Sequence, residues 1–124
     1  MSEAGGMIKI LIADDHEIVR HGLALALSHE RDFEVVAQVS NGRDAVTTVA
    51  SIEPDVVVLD WKMAQMDGLA AAAAIREAGS SVKILLLTGA PIETAVLDAL
   101  EQGIDGFVTK DISPARLAHA IRRG

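Results

Sequence analysis

The sequence contains no cysteine and no tyrosine, and has only one tryptophan and two phenylalanines in 124 residues. Without thiols there is neither a disulfide framework nor a thiolate metal site, which fits a reducing compartment and makes the cytoplasm the expected location. With only Trp61, Phe33 and Phe107 as aromatics, the core has to be assembled from Ala, Val, Ile and Leu at ordinary interior density. Basic charge is short as well. Eleven Lys and Arg against 18 Asp and Glu leave a formal net charge of −7, the wrong sign for a surface that displaces counterions from a phosphate backbone. This chain alone is not expected to bind DNA. No apolar run approaches the ~18 residues needed to span a bilayer, and Met1-Ser-Glu-Ala-Gly-Gly6 lacks the basic-then-apolar order of a signal peptide. No membrane partner is expected.

What is present is one domain's length of chain, half of it apolar, enough to bury roughly two thirds of its unfolded surface in a single core. Residues 1–6 read as a disordered tail and residues 7–124 as the domain. Short aliphatic runs alternate with segments of helical periodicity. Ile8 to Ala13 precedes a helix from Asp15 to about Glu30, and Phe33 to Val39 precedes Gly42 to Glu53. Asp55 to Leu59 precedes Gly68 to Ala78, Val82 to Leu87 precedes Ile92 to Gln102, and Gly106 to Thr109 precedes Ser113 to Arg123. The punctuation agrees: Asn41-Gly42 and Gly79-Ser-Ser81 are turn signals, Glu53-Pro54 stops a helix, and Gly103 suits a left-handed helix end. Ser113-Pro114 pairs an N-cap hydroxyl with proline at the first helical position. Five strand-helix units predict an α/β, doubly wound (βα)5 flavodoxin-like sandwich around a five-stranded parallel sheet.

In such sheets ligands bind beyond the carboxyl ends of the strands, where the strand order reverses. The residues at those ends are Asp14-Asp15 after strand one, Asp60 at strand three, Thr88 at strand four and Lys110 after strand five. An order of 2-1-3-4-5 brings them into one pocket. Three carboxylates held close repel one another, and a divalent cation relieves that repulsion. An all-oxygen set with few protein ligands suits Mg2+, which shares its remaining positions with water and phosphate. Lys110 then serves as a point charge for phosphoryl oxygens, Thr88 as a hydrogen-bond donor to them, and a carboxylate as a nucleophile that can form an aspartyl phosphate.

The motifs Ile12-Ala-Asp-Asp-His16, Val57-Val-Leu-Asp60 running on to Met66-Asp-Gly68, Leu87-Thr88 and Gly106-Phe-Val-Thr-Lys110 together resemble the receiver domains of bacterial two-component response regulators. The likeness runs from Lys9 to about Arg123. The run Asp14-Asp-His-Glu-Ile-Val-Arg-His-Gly-Leu23 is similar to the NarL/LuxR-type subfamily, whose receivers usually precede a helix-turn-helix DNA-binding domain. The resemblance implies that Asp60 is the phospho-acceptor, served by a sensor histidine kinase. It implies that Asp15, Asp60 and the backbone carbonyl of Lys62 hold Mg2+, with Asp14 acting through a water. Thr88 and Phe107 would form a switch that biases the surface of the Ile92 to Gln102 helix and strand five. It further implies no enzyme activity beyond Mg-dependent self-phosphorylation and slow autodephosphorylation, homodimerisation on phosphorylation, and DNA contact only through a C-terminal domain absent from this chain. The end of the chain at Arg122-Arg-Gly124, close to the end of the last helix, reads as a domain excised from a longer regulator.

Some positions depart from the family pattern. Ala64 stands where proline is usual, which predicts a less rigid loop from Lys62 to Gln65. Phe107 lacks a tyrosine's hydroxyl, and Lys62 and Ala90 occupy positions that tune phosphoryl hydrolysis. His16, His21, His29 and His119 lack a helical i, i+4 ligand pair and receive no chemical role. A haloacid-dehalogenase-type, magnesium-dependent phosphohydrolase would need a second aspartate where Lys62 stands. A flavin-binding module would need a hydroxyl- and glycine-rich loop where Asp14-Asp15 would repel the flavin phosphate. A degenerate or standalone receiver acting as an interaction module is the remaining alternative.

Overall fold

A computed structural model of the chain describes residues 7–89 and 103–123. The tail over residues 1–6, Ala90 and the helix expected over Ile92 to Gln102 lie outside the described residues. The elements are β1 (Ile8–Ala13), α1 (Glu17–Ser28), β2 (Phe33–Val39), α2 (Gly42–Ile52), β3 (Val56–Asp60), α3 (Gly68–Glu77), β4 (Lys83–Thr88), β5 (Gly106–Thr109) and α4 (Pro114–Arg122). The five strands pair in parallel in the order β2-β1-β3-β4-β5, as the sequence predicts.

Side chains alternate across a strand, so each central strand feeds two cores. Leu11, Val57, Leu59, Ile84 and Leu86 point to the face covered by α2 and α3, where they meet Ala45, Val49, Ala71, Ala72 and Ile75. Ile10, Ile12, Val58, Leu85 and Leu87 point to the other face and meet Ala24 and Leu27 of α1 and Leu117, Ala118 and Ile121 of α4. Strand β3, the middle of the sheet, is buried throughout. A strand covered on both faces cannot alternate apolar with polar residues, which accounts for the unbroken Val56-Val-Val-Leu59 run. The alanine run is a packing device: Ala71 and Ala72 have no exposed surface.

Caps set the boundaries. Asn41, Asp67 and Ser113 accept hydrogen bonds from the backbone N–H groups of Asp44, Ala70 and Arg116, each three residues on. Such N-caps satisfy donors that the first helical turn leaves orphaned. Helix α2 ends on Glu53 in the left-handed region, with φ 55°. Helix α1 begins two residues later than its periodicity predicts, because the Asp14 side chain captures the His16 N–H at 2.8 Å and holds the chain out of the helix.

Candidate functional site

The chain climbs β1, crosses outward to β2, and returns to lay β3 on the other side of β1, so the strand order reverses between β1 and β3. Ala13 pairs with Leu59 there, and the residues that follow, Asp14 and Asp60, stand side by side. Both are nearly inaccessible, at 0% and 1% exposure. Asp15 lies further out. From β5, Lys110 reaches back across the sheet: its Nζ is 3.0 Å from Asp60 Oδ2 and 4.0 Å from Asp14 Oδ2. The Lys110 N–H donates to the Thr88 carbonyl at 2.9 Å, which fixes the lysine beside the buried end of β4.

The pocket holds more negative charge than its protein partners relieve. Burial pushes the Asp60 carboxyl up to about 6; Lys110 pulls it down by hydrogen bonding and charge, and Asp14 pushes it up again. Asp14 Oδ1 accepts from the His16 backbone, but Asp14 Oδ2 is buried with no hydrogen-bond partner among the described residues. An orphaned buried carboxylate oxygen beside a second carboxylate is costly unless a cation or proton supplies its partner. Ligand atoms from Asp14, Asp15, His16 and Asp60 all lie within 4.8 Å of one another, an arrangement that could hold a metal ion.

The loop from Trp61 to Asp67 forms one wall. The Trp61 N–H donates to the Leu87 carbonyl and the Gly68 N–H to the Trp61 carbonyl, at 2.9 and 2.8 Å. Met63 and Met66 pack on the α2/α3 core, and Lys62 is exposed. Two glycines let the loop sit this low. A Cβ on Gly68 would meet the Asp60 carbonyl at 2.6 Å, and one on Gly42 would meet the Met66 carbonyl at 2.0 Å. Gln65, in the stretch that lacks the expected proline, takes left-handed backbone at φ 66°. Phe107 is half-buried on β5, packs against the α2/α3 core and lines a cleft of about 790 Å³ with Leu85, Val108 and Ala120.

Of the predicted residues, Asp14, Asp15 and Asp60 have ligand atoms within 4.8 Å of one another and Lys110 reaches Asp60 and Asp14, while Thr88 is buried at the end of β4 with its carbonyl on the Lys110 N–H. Sequence reasoning missed His16. The imidazole Nδ1 lies 3.3 Å from both Asp14 Oδ1 and Asp15 Oδ1 and 3.9 Å from Asp60 Oδ2. A search for i, i+4 histidine pairs on helices does not find a lone histidine brought in by a loop. The available signal was its adjacency to two strand-end aspartates. Arg20 supports the same loop, its Nη1 donating to the Asp14 carbonyl at 2.8 Å.

The described helices include none long and apolar enough to cross a membrane. The family described as response regulator receiver domain matches residues 10–122. The response regulator protein VraR of Staphylococcus epidermidis is 36% identical over 116 residues, covering 94% of this chain and 56% of that protein. The chain therefore spans little more than half the length of such curated relatives. Among solved structures, the signal receiver domain of NarL from Mycobacterium tuberculosis superposes with a TM-score of 0.89 at 32% identity, covering 93% of each chain. A DNA-binding response regulator of the LuxR family from Staphylococcus aureus gives a TM-score of 0.88 at 28% identity, covering 94% of this chain and 98% of that one. This is a family of two-component signalling domains and not a known family of catalytic enzymes. With its strand order, its strand-end carboxylates and these likenesses agreeing, the chain belongs to the response regulator receiver domains, of the NarL/LuxR type.

Proposed function

We propose that this domain accepts a phosphoryl group on Asp60 from the phosphohistidine of a sensor histidine kinase, or slowly from a small phosphodonor, and relays the change through its surface. The observation that carries this reading is the setting of Asp60: a carboxylate 1% exposed at the strand-order reversal, with the Lys110 ammonium 3.0 Å away. A carboxylate oxygen of Asp60 attacks phosphorus, forming an O–P bond as the N–P bond to the kinase imidazole breaks. The imidazole leaves with the electron pair and takes up a proton. Lys110 keeps Asp60 ionised against its burial and neutralises charge on the phosphoryl oxygens, to which the Thr88 hydroxyl donates.

Asp15, Asp60 and the Lys62 carbonyl would hold Mg2+, with Asp14 behind them acting through a water; the orphaned Asp14 oxygen supports this fit. When bound, that ion supplies the positive charge that three carboxylates and a phosphoryl group require together. Thr88 and Phe107 convert the new charge into a rearranged surface around β5. Lys62 and Ala90 set how fast the phosphoryl group is lost by slow autodephosphorylation. Residues 7–124 act as the receiver in a longer cytoplasmic regulator. Phosphorylation favours a homodimer, and DNA contact belongs to a C-terminal helix-turn-helix domain. The VraR and LuxR-family likenesses support that assembly.

The test is intact-mass measurement of wild type and Asp60→Asn after acetyl phosphate and Mg2+. Wild type is expected to gain one phosphoryl group, lose the gain with a chelator present, and show none in Asp60→Asn. A gain that persists in Asp60→Asn moves the acceptor elsewhere, and no gain in wild type sinks the reading.

A further inference from the structure

We infer that His16 turns the carboxylate pocket into a mixed nitrogen-oxygen site, with Nδ1 as a ligand that gives it strong affinity for first-row transition ions such as Ni2+ and Zn2+. This rests on the same pocket being a metal site, and goes beyond it by assigning a protein ligand and a class of ion that an all-oxygen magnesium site does not favour.

His16 occupies the N-cap position of α1, yet its side chain makes no capping hydrogen bond. The imidazole turns instead toward the acidic pocket. Its backbone is pinned there, its N–H donating to Asp14 Oδ1 and its carbonyl accepting from the Arg20 N–H, at 2.8 and 2.9 Å. Donor atoms bound to one small divalent ion at tetrahedral or octahedral angles stand about 3.0–3.4 Å apart. The 3.3 Å separations of Nδ1 from Asp14 Oδ1 and from Asp15 Oδ1 fall in that range, and the 3.9 Å to Asp60 Oδ2 lies just outside it. The second observation is the orphaned Asp14 Oδ2, on a side chain with no exposed surface, which faces the same space with Lys110 Nζ 4.0 Å away. Lys110 Nζ also stands 3.5 Å from His16 Nδ1. The tautomer sets the role of this nitrogen: as Nδ1–H it donates to Asp14 Oδ1 at 3.3 Å, and with its lone pair inward it accepts from Lys110 or binds an ion.

The chemistry of the donors sets the selectivity. Imidazole nitrogen suits Ni2+, Zn2+ and Cu2+, whereas Mg2+ takes oxygen and keeps several waters. His16 is largely exposed, with 63% of its side chain accessible, so His16→Asn opens no cavity in either core. An ion held jointly by His16 and Asp60 occupies the carboxylate that would receive phosphate, so transition ions compete with magnesium for the same residues.

Calorimetric titration with Ni2+, and separately with Mg2+, tests this in chains where His21→Gln, His29→Gln and His119→Gln remove other imidazoles, with and without His16→Asn. Ni2+ affinity is expected to fall about 10–100-fold on His16→Asn, and Mg2+ affinity by less than about threefold. Pulsed electron paramagnetic resonance of bound Mn2+ is expected to show nitrogen coupling that His16→Asn removes. Ni2+ affinity unmoved by His16→Asn, or Mg2+ affinity falling equally, overturns the inference. If Mg2+ binds while Ni2+ binding ignores His16, this inference fails and the magnesium reading stands. If Ni2+ binding needs His16 while Mg2+ does not bind, the reverse holds.

Discussion

The two ends of the sheet treat charge in opposite ways. At the amino end, cations are matched to several acceptors each. Arg76 of α3 donates to the carbonyls of Gly103, Ser80 and Val82 and to Asp105 Oδ2, at 2.7–3.0 Å, tying the end of α3 to the approach to β5. Asp105 Oδ2 in turn accepts from the Ile84 N–H. Arg122 forks onto Asp32, bonds Glu30 and lies 4.6 Å from the Phe33 ring centre, while Lys83 Nζ donates to the carbonyls of Ala120, Ile121 and Arg123 at the end of α4. At the carboxyl end, three carboxylates share Lys110 and a neighbouring imidazole, and Asp14 Oδ2 has no hydrogen-bond partner among the described residues. The first arrangement holds a fold closed. The second is a deficit that a ligand can fill, and such local cost is where binding energy and switching originate.

If this contrast is right, the largest loss of stability on removing one charged side chain comes from the amino end. Arg76→Ala takes the arginine donor from three carbonyls, leaves Asp105 with the Ile84 N–H, and empties the space against Gly103, where the arginine packs in place of a Cβ. It is expected to destabilise the fold by about 2–4 kcal/mol in urea unfolding. A loss under about 1 kcal/mol would show that the latch is solvated and would erase the distinction.

At the carboxyl end the sign reverses. The Asp60 carboxyl sits at about 6 in the fold against its ordinary 3.8, mainly through burial, so the folded state binds that proton more tightly than the unfolded chain. The stabilisation from protonated Asp60 is full below about pH 4 and is lost as pH rises through about 6, leaving a buried charge as a cost at neutrality. Asp60→Asn cannot ionise. In chelator it is expected to be more stable than wild type by about 1–3 kcal/mol at pH 7.5, with the gap shrinking toward pH 4.5. A variant less stable than wild type at pH 7.5 would mean that Lys110 already compensates the charge in full.

The sequence made the sheet legible because both faces of the central strands are covered: Val56 to Leu59 and Lys83 to Leu87 can read only as buried parallel strands once helical segments separate them. The acidic pocket was legible for a related reason, since only functional demand puts Asp14 and Asp60 at adjacent buried strand ends. The amino-end latch was not. Arg76 to Gly103 and Arg122 to Asp32 are contacts across 27 and 90 positions, made by side chains that read in sequence as ordinary helix-surface arginines. His16 was hidden differently. Its role depends on a two-residue delay in the start of α1, and helix boundaries are what periodicity resolves least well.

The smallest effects divide the helix starts. Asn41, Asp67 and Ser113 satisfy orphaned N–H groups, whereas His16 occupies the same position in α1 and caps nothing. Ser113→Ala is expected to cost about 1 kcal/mol, as loss of an N-cap does. Removing the His16 ring breaks no capping bond, costs only the long 3.3 Å contact of an exposed ring with Asp14 Oδ1, and leaves the backbone bond from His16 to Asp14 intact, so in metal-free protein at pH 8 His16→Ala is expected to stay within about 0.5 kcal/mol of wild type. Chemical denaturation of the two variants side by side checks this. A His16→Ala loss as large as that of Ser113→Ala would make the imidazole a structural element of α1, whereas near-neutrality leaves its inward orientation with no stabilising purpose and places its value in what the pocket binds.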